Sequence, residues 1–318
     1  MKIKLIPTTD KCMSYGTQIE PLENLFVFDI ETIPDVSFAG ALCEGMLKNP
    51  EKEGEGKYTK DEIEKMSVIE KEDLMTRYHK EKHNNEFLRQ PFHKISCISF
   101  LIAGIEYEFG KEKYVLKKLD SVSCFDEVKE EKTDYSCANG DEKRVIEYIW
   151  NVLKHYKPRI VSFNGKMFDI NVLKCKALKY GIDCSWYFNY GGKFDGYEYP
   201  YANSHFDLLY KYGAYTLHEM CIMLNIPCKL GVDGSRVSSL YYDKKYKEIC
   251  EYCETDVLAT YLVYLKMALT QGFIDKTEYN KCVVDVENDL ISKKDKKKGL
   301  HEFLDAWHKL NPNGICLK

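Results

Sequence analysis

The segment "LFVFDIETIPD", Leu25–Asp35, decides how this chain is read. Leu25 to Phe28 are apolar on both alternating faces, the pattern of a strand buried in the middle of a sheet. Pro34 cannot donate to a central ladder and ends that strand. Asp29 and Glu31 stand at its end, and as residues i and i+2 they point to the same side. Ionised carboxylates are seldom buried unless they are paired or hold a metal. A strand running out into a polar turn would also end in acidic residues, so D-x-E alone leaves both readings open.

The rest of the composition narrows the choice. With 318 residues, 44% hydrophobic and 13% aromatic, the chain can bury a sizeable core. A formal net charge of −4 excludes the basic field of a general nucleic-acid coat protein. It allows a nucleic-acid enzyme whose site is neutralised by metal ions. Thirteen scattered cysteines, with no signal-peptide pattern at Met1–Asp10 and no apolar run near 18 residues, predict reduced thiols, a cytoplasmic location and no membrane association. Cys250 and Cys253 form a C-x-x-C with no second pair to answer it, so they read as helix residues rather than zinc ligands.

Strands come first, a strand–helix alternation follows, and helices dominate the end: an α/β fold with a mixed sheet. "KISCISFLIAG" (Lys94–Gly104) predicts a second buried strand, with "IEYEFG" and "KYVLKKL" as an adjoining edge hairpin. Residues 44–90 are charge-dense with sparse apolar positions and predict exposed helices in an insertion. Asp141 is a candidate N-cap for a helix striped by Val145, Ile149, Val152 and Leu153. "RIVSFNG" reads as a short strand into a turn, then a helix from about Asp169 to Tyr180 closed by Gly181. From Thr216 onward the pattern is helical, with breaks near Pro227–Gly234 and Gly272. The predicted organisation is an N-terminal extension over 1–23, a main domain over 24–272 and a C-terminal helical extension over 273–318.

Asp169 follows the strand "IVSF" at the mouth of its helix, where open α/β sheets place ligands. It could equally cap that helix, and Asn164–Gly165 could be a plain turn. In "YCETDVLATYLVYLKM", Tyr252 and Asp256 lie one helical turn apart on one face, bordering a buried stripe. Asp29, Glu31, Asp169 and Asp256 can therefore converge from two strand ends and a helix. An all-oxygen cage of that kind suits Mg²⁺ or Mn²⁺, and two such ions about 4 Å apart promote in-line phosphodiester displacement.

"FDIET" (Phe28–Thr32), "FNGKMFD" (Phe163–Asp169) and "YCETD" (Tyr252–Asp256) resemble, in order and context, the three motifs of 3′–5′ exonucleases with four acidic residues and a motif-III tyrosine. The nearest likeness is to the predicted 3′–5′ exonucleases related to the proofreading domain of family B DNA polymerases, over about residues 24–272, including "SHFDLL" and "GVDGSRV". The resemblance implies a ribonuclease H-like fold and two Mg²⁺ or Mn²⁺ ions. It implies that Asp29 bridges the ions, Glu31 and Asp256 complete one shell, Asp169 holds the other ion, and Tyr252 orients the attacking water. Ile30 and Thr32 would flank the terminal nucleotide, Thr32 near its 3′-hydroxyl, with Asn164 and Phe168 as further substrate contacts.

The implied activity is 3′–5′ hydrolysis of single-stranded DNA or frayed 3′ ends, with no polymerase palm expected. RNA 3′-end trimming and a non-hydrolysing nucleic-acid-binding accessory protein are the alternatives. Other features have bland and sharp readings side by side. Lys229, Asp233, Ser235 and Arg236 form a Gly-containing loop that reads as a turn or as a phosphate contact through Arg236. His205 in "SHFDLL" reads as a structural histidine. His79 and His83 read as a solvated helix face, and "KKDKKKG" as a linker. In "WYFNYGGKFDGYEYPYAN" the aromatic rings divide between core packing and base stacking.

Overall fold

The computed structural model describes residues 13–14, 17–18, 22–49, 56–124, 140–213, 215–228 and 236–317. Lys229, Asp233, Ser235 and residues 125–139 lie outside the described residues. Strands β1 (Met13–Ser14) and β2 (Thr17–Gln18) form a small separate hairpin. The main sheet holds β3 (Asn24–Pro34), β4 (His93–Glu108), β5 (Lys111–Ser123), β6 (Arg159–Ser162) and β7 (His205–Asp207) in the order β5-β4-β3-β6-β7. β5, β4 and β3 pair antiparallel, while β6 and β7 run parallel to β3. This mixed five-stranded sheet flanked by helices is a ribonuclease H-like fold.

The central position of β3 explains its two apolar faces. Leu25 and Val27 enter one core with residues of three long helices, α10 (Tyr246–Thr270), α11 (Lys276–Lys293) and α12 (Lys298–Leu310). Phe26, Phe28 and Ile30 enter another with α4 (Glu142–Tyr156) and α5 (Asp169–Tyr180). Residues beyond 272 thus close the same core as the sheet: Tyr279, Val283, Phe303 and Trp307 are all buried in it. Asp141 caps α4, accepting from the Arg144 N–H at 3.0 Å, and Gly181 ends α5 in the left-handed region at φ 67°. α6 (Ser185–Asn189), α7 (Leu208–Tyr212), α8 (Leu217–Leu224) and α9 (Val237–Tyr242) are short. No helix among the described residues is long and apolar enough to cross a membrane.

Two expectations change. The strand and adjoining hairpin predicted after Lys94 are one 16-residue strand turning at Phe109–Gly110 into a 13-residue partner. Gly104 does not end the strand; a Cβ there would come within 2.9 Å of Lys117 Cε, so glycine lets that side chain lie across the ladder. The insertion is also not simply exposed. Helices α1 (Ala39–Cys43), α2 (Lys60–Glu64) and α3 (Val68–His83) enclose a core of Ala39, Cys43, Met46, Ile63, Leu74, Met75 and Leu88. His79, expected on a solvated face, is buried there with its Nδ1 2.8 Å from the Asn85 carbonyl.

Candidate active site

β3 carries Asp29 and Glu31 out of the core at the edge where β6 gives way to α5, and α10 crosses behind. Glu31 and Asp169 are buried and Asp29 is half-buried. The Asp169 carboxylate accepts the backbone N–H of Ile30 at 3.2 Å, which ties the start of α5 to the residue beside Asp29. Asp29, Glu31 and Cys253 each offer a ligand atom, and these atoms all lie within 4.8 Å of one another, a group able to hold a metal ion. Cys253 faces Asp29 from α10, its thiol 3.5 Å from the Asp29 carbonyl and 3.7 Å from Oδ2.

The electrostatics follow from crowding in a dry place. Burial, then the charges of Asp169, Glu31 and Asp256, push the Asp29 carboxyl well above its ordinary range. Burial, then Asp256 and Asp169, do the same to Glu31. Burial pushes Asp169 up to about 7, against the backbone N–H bonds from Ile30 and from Asp169 itself. Burial and then Asp256 raise the Tyr252 hydroxyl, which is hydrogen-bonded to Asp256, so Tyr252 stays a neutral phenol. The structure thus brings Asp29, Glu31, Asp169, Tyr252 and Asp256 into one electrostatic cluster.

The turn before Asp169 is built to hold its position. Asn164 adopts φ 62°, which asparagine tolerates better than most residues. Asp207, at the end of β7, accepts the N–H groups of Asn164 at 3.0 Å and Lys166 at 2.8 Å. A Cβ at Gly165 would sit 2.5 Å from Ser162 Cβ and Oγ, so only glycine lets the turn close over β6. Asp169 therefore does more than cap its helix. Phe168 occupies the N-cap position without a side-chain cap bond, and the Asp169 carboxylate reaches across to β3.

Ile30 is buried, while Thr32 and Phe168 are half-buried beside the cluster. Between Glu31 and Thr32 the β3–β4 register shifts by one residue; the extra Ser96 donates its hydroxyl to the Glu31 carbonyl at 2.9 Å. Thr32 Oγ1 then lies 2.8 Å from His93 Nδ1, and the His93 ring packs on Phe168 and Phe87 with centroids 5.0 and 5.1 Å away. Gln90 donates to the Met167 carbonyl at 3.0 Å, so the end of the insertion docks on the turn that carries Phe168. Arg236 stands at the exposed start of α9, whose Val237 and Leu240 pack in one cluster with Ile33.

Cys253, Ser96, His93, Phe87 and Asp207 are the neighbours that sequence reasoning did not place here. Only the C-x-x-C and the strand-end Asp207 gave any signal. His205 is a core histidine between Ser162 Oγ at 2.8 Å and the Tyr187 hydroxyl at 3.3 Å. In the aromatic loop, Tyr187 and Tyr197 are buried, whereas Phe188, Phe194 and Tyr201 are exposed.

The family model described as "Predicted 3'-5' exonuclease related to the exonuclease domain of PolB" matches residues 85–307. That span contains Asp169, Tyr252 and Asp256 and begins after Asp29 and Glu31. A search of curated proteins returned no match. On this fold and this match over most of its length, the chain belongs to the predicted 3′–5′ exonucleases related to the exonuclease domain of PolB.

Proposed function

We propose that this protein is a metal-dependent 3′–5′ exonuclease that removes nucleoside monophosphates from single-stranded DNA or frayed 3′ ends. The observation that carries the reading is the crowding of buried Glu31 and Asp169 with half-buried Asp29 and Asp256, where the charges of Asp169 and Asp256 raise the pKa of both Asp29 and Glu31. Crowding of this kind is unfavourable unless cations share the space. The carboxylate oxygens suit hard ions, so Asp29, Glu31, Asp169 and Asp256 would hold two Mg²⁺ or Mn²⁺. Bound there, the ions supply activation of a water and charge neutralisation at phosphate.

The protein's own groups supply position. Tyr252, kept neutral and hydrogen-bonded to Asp256, offers a hydroxyl that orients a water rather than removing its proton. Half-buried Phe168 offers apolar surface to the terminal base, Thr32 meets the terminal sugar, and Ile30, buried in the core with α4 and α5, supports the strand beneath them. Asn164 lies on the turn braced by Asp207, where it can contact the next nucleotide, and Arg236 offers a cation to the phosphate backbone.

The test is incubation with 5′-labelled DNA and RNA oligonucleotides in Mg²⁺, in Mn²⁺ and in chelator. A metal-dependent ladder of 3′-shortened products is expected, faster on DNA than on RNA and absent with Asp29→Ala. Normal degradation by that variant would overturn the site, and faster cleavage of RNA would move the substrate to RNA 3′ ends.

A further inference from the structure

We propose that the loop between α6 and β7 is a second nucleic-acid surface, an aromatic platform on which bases of single-stranded DNA stack, 5′ to the nucleotide being removed. This rests on the exonuclease reading above and adds where the rest of the strand lies. Four rings of the loop and of α7 touch in succession. Phe194 and Tyr199 have centroids 5.3 Å apart, Tyr199 and Tyr201 5.9 Å, and Tyr201 and Tyr210 6.2 Å. Phe194 and Tyr201 are 51% and 59% exposed, and Tyr199 and Tyr210 are half-buried. Contiguous apolar surface of this kind, rimmed by polar groups, marks an interaction site. Every base has a π-face, so rings in a row hold a single strand whatever its sequence.

The loop is built to hold these rings in place. Gly191 has φ 71°, and a Cβ there or at Gly196 would come within 2.9 or 2.8 Å of backbone atoms across the turn. The Lys166 ammonium donates to the carbonyls of Tyr197, at 3.1 Å, and Tyr199, and that of Lys211 to the Tyr201 carbonyl at 2.6 Å. Lys166 lies in the turn between Asn164 and Asp169, so the platform is fastened to the wall of the candidate site. Bonds to carbonyls leave both positive charges in place, and exposed Lys193 adds a third, 5.4 Å from the Phe194 centroid. Of the carboxylates around them, Glu198 pairs with Lys174 at 2.8 Å, Asp207 is engaged by the N–H groups of the turn, and Asp195 is half-buried. Burial, joined by Lys211 and Lys174 and opposed by Asp207, lowers the pKa of Lys166 to about 8. A phosphate beside these lysines relieves their crowding, so the face suits a polyanion with flat bases better than an apolar protein surface.

Binding and cleavage by the full chain test this. The probe is a fluorescein-labelled oligodeoxythymidine of about 16 nucleotides, its anisotropy read in chelator so that binding is measured without cleavage. Phe194→Ala and Tyr201→Ala should each weaken binding about 5- to 50-fold, the size of one stacked base, while Tyr201→Phe keeps wild-type affinity. Lys193→Gln should lower the slope of log affinity against log salt by about 0.7, a slope the ring variants leave unchanged. In Mn²⁺, kcat/KM for the same oligonucleotide should fall by similar factors in the alanine variants. The p-nitrophenyl ester of thymidine 5′-phosphate, which has no further nucleotide to lay on the platform, should be cleaved at the wild-type rate. Wild-type affinity in both alanine variants overturns the proposal and leaves the face to a protein partner. An equal loss on the ester overturns it too, making the loop a support of the site. A wild-type protein that cleaves neither substrate but loses oligonucleotide binding with these rings sinks the exonuclease reading and leaves the platform standing.

Discussion

Asp169 accepts the backbone N–H of Ile30, so an acidic residue from the first turn of α5 is anchored to the strand that carries Asp29 and Glu31. One bond joins two segments 139 residues apart and brings a third carboxylate toward buried Glu31 and half-buried Asp29. Such an arrangement stores repulsion that only bound cations or protons relieve.

Asp29→Asn should therefore separate stability from activity. The amide keeps the shape and removes one buried like charge, so the metal-free protein should unfold at an equal or higher temperature, by up to about 2 kcal/mol. Nuclease activity should fall more than about 100-fold, because the charge that would hold the ions is gone. Thermal melts in chelator beside oligonucleotide cleavage in Mn²⁺ check both halves. A variant less stable than wild type in chelator would contradict the repulsion argument.

Gly165→Ala should act at a distance. A Cβ 2.5 Å from Ser162 leaves no room, so the turn must move, and Asp169 moves with it. Overpacking of this kind costs about 1–3 kcal/mol. Denaturant titration should show that loss, and kcat should fall further than the fraction unfolded accounts for. Substituting Ser162→Gly in the same chain should recover part of both.

Much of this was legible in the chain itself, and the limits were physical. The strand around Asp29 stood out because a run apolar on both faces ends in two carboxylates on one side, and the motifs around Asp169 and Tyr252–Asp256, rather than that run alone, favoured a shared site over a polar turn. Asp141 and Gly181 could be read because caps act within a few residues. His93 and Phe87 could not, since their role depends on a register shift between β3 and β4 and on how the insertion docks. The insertion's core was hidden because its apolar residues come from separated segments, Ala39 and Cys43, Ile63, Leu74 and Leu88, with no common period. Cys253 looked like an ordinary helix residue, and only the approach of α10 to β3 puts its thiol beside Asp29.

Lys176 should prove a keystone of the fold. Its ammonium is buried between Asp35 at 3.2 Å and Glu142 at 3.4 Å, joining α5 to the end of β3 and to α4. Lys176→Met should destabilise by about 3–5 kcal/mol, because buried Glu142 loses this ammonium and buried Asp35 is left with Lys179. The acid side follows from Asp35. Burial alone would raise its pKa, but the Ser37 hydroxyl, Lys176 and Lys179 outweigh it and hold the carboxyl below its ordinary value. A carboxylate lowered in the folded state adds stability above its unfolded pKa, about 3.9, and that stability is lost as pH falls through the lower folded value. Denaturant midpoints from pH 6 to pH 3 should decline more steeply in wild type than in Asp35→Asn.

His205 gives an acid dependence at milder pH. It is fully buried, and burial, then Lys166 and Lys174, hold its pKa well below the ordinary 6.5. A base depressed in the folded state favours folding above its unfolded pKa; as pH drops below about 6.5 the unfolded chain takes a proton that the native ring refuses, and stability is lost by up to about 1.4 kcal/mol per pH unit. The raised carboxylates of the site act in the opposite sense, gaining on acidification, so wild type alone does not isolate the histidine. His205→Gln does, because both proteins share those carboxylates. The difference in unfolding free energy between them should shrink steadily from pH 7.5 to pH 5.5 as the wild-type advantage is lost. A difference that stays constant over that range would mean the ring accepts its proton inside the core, with Ser162 and Tyr187 reorienting to leave room for the charge.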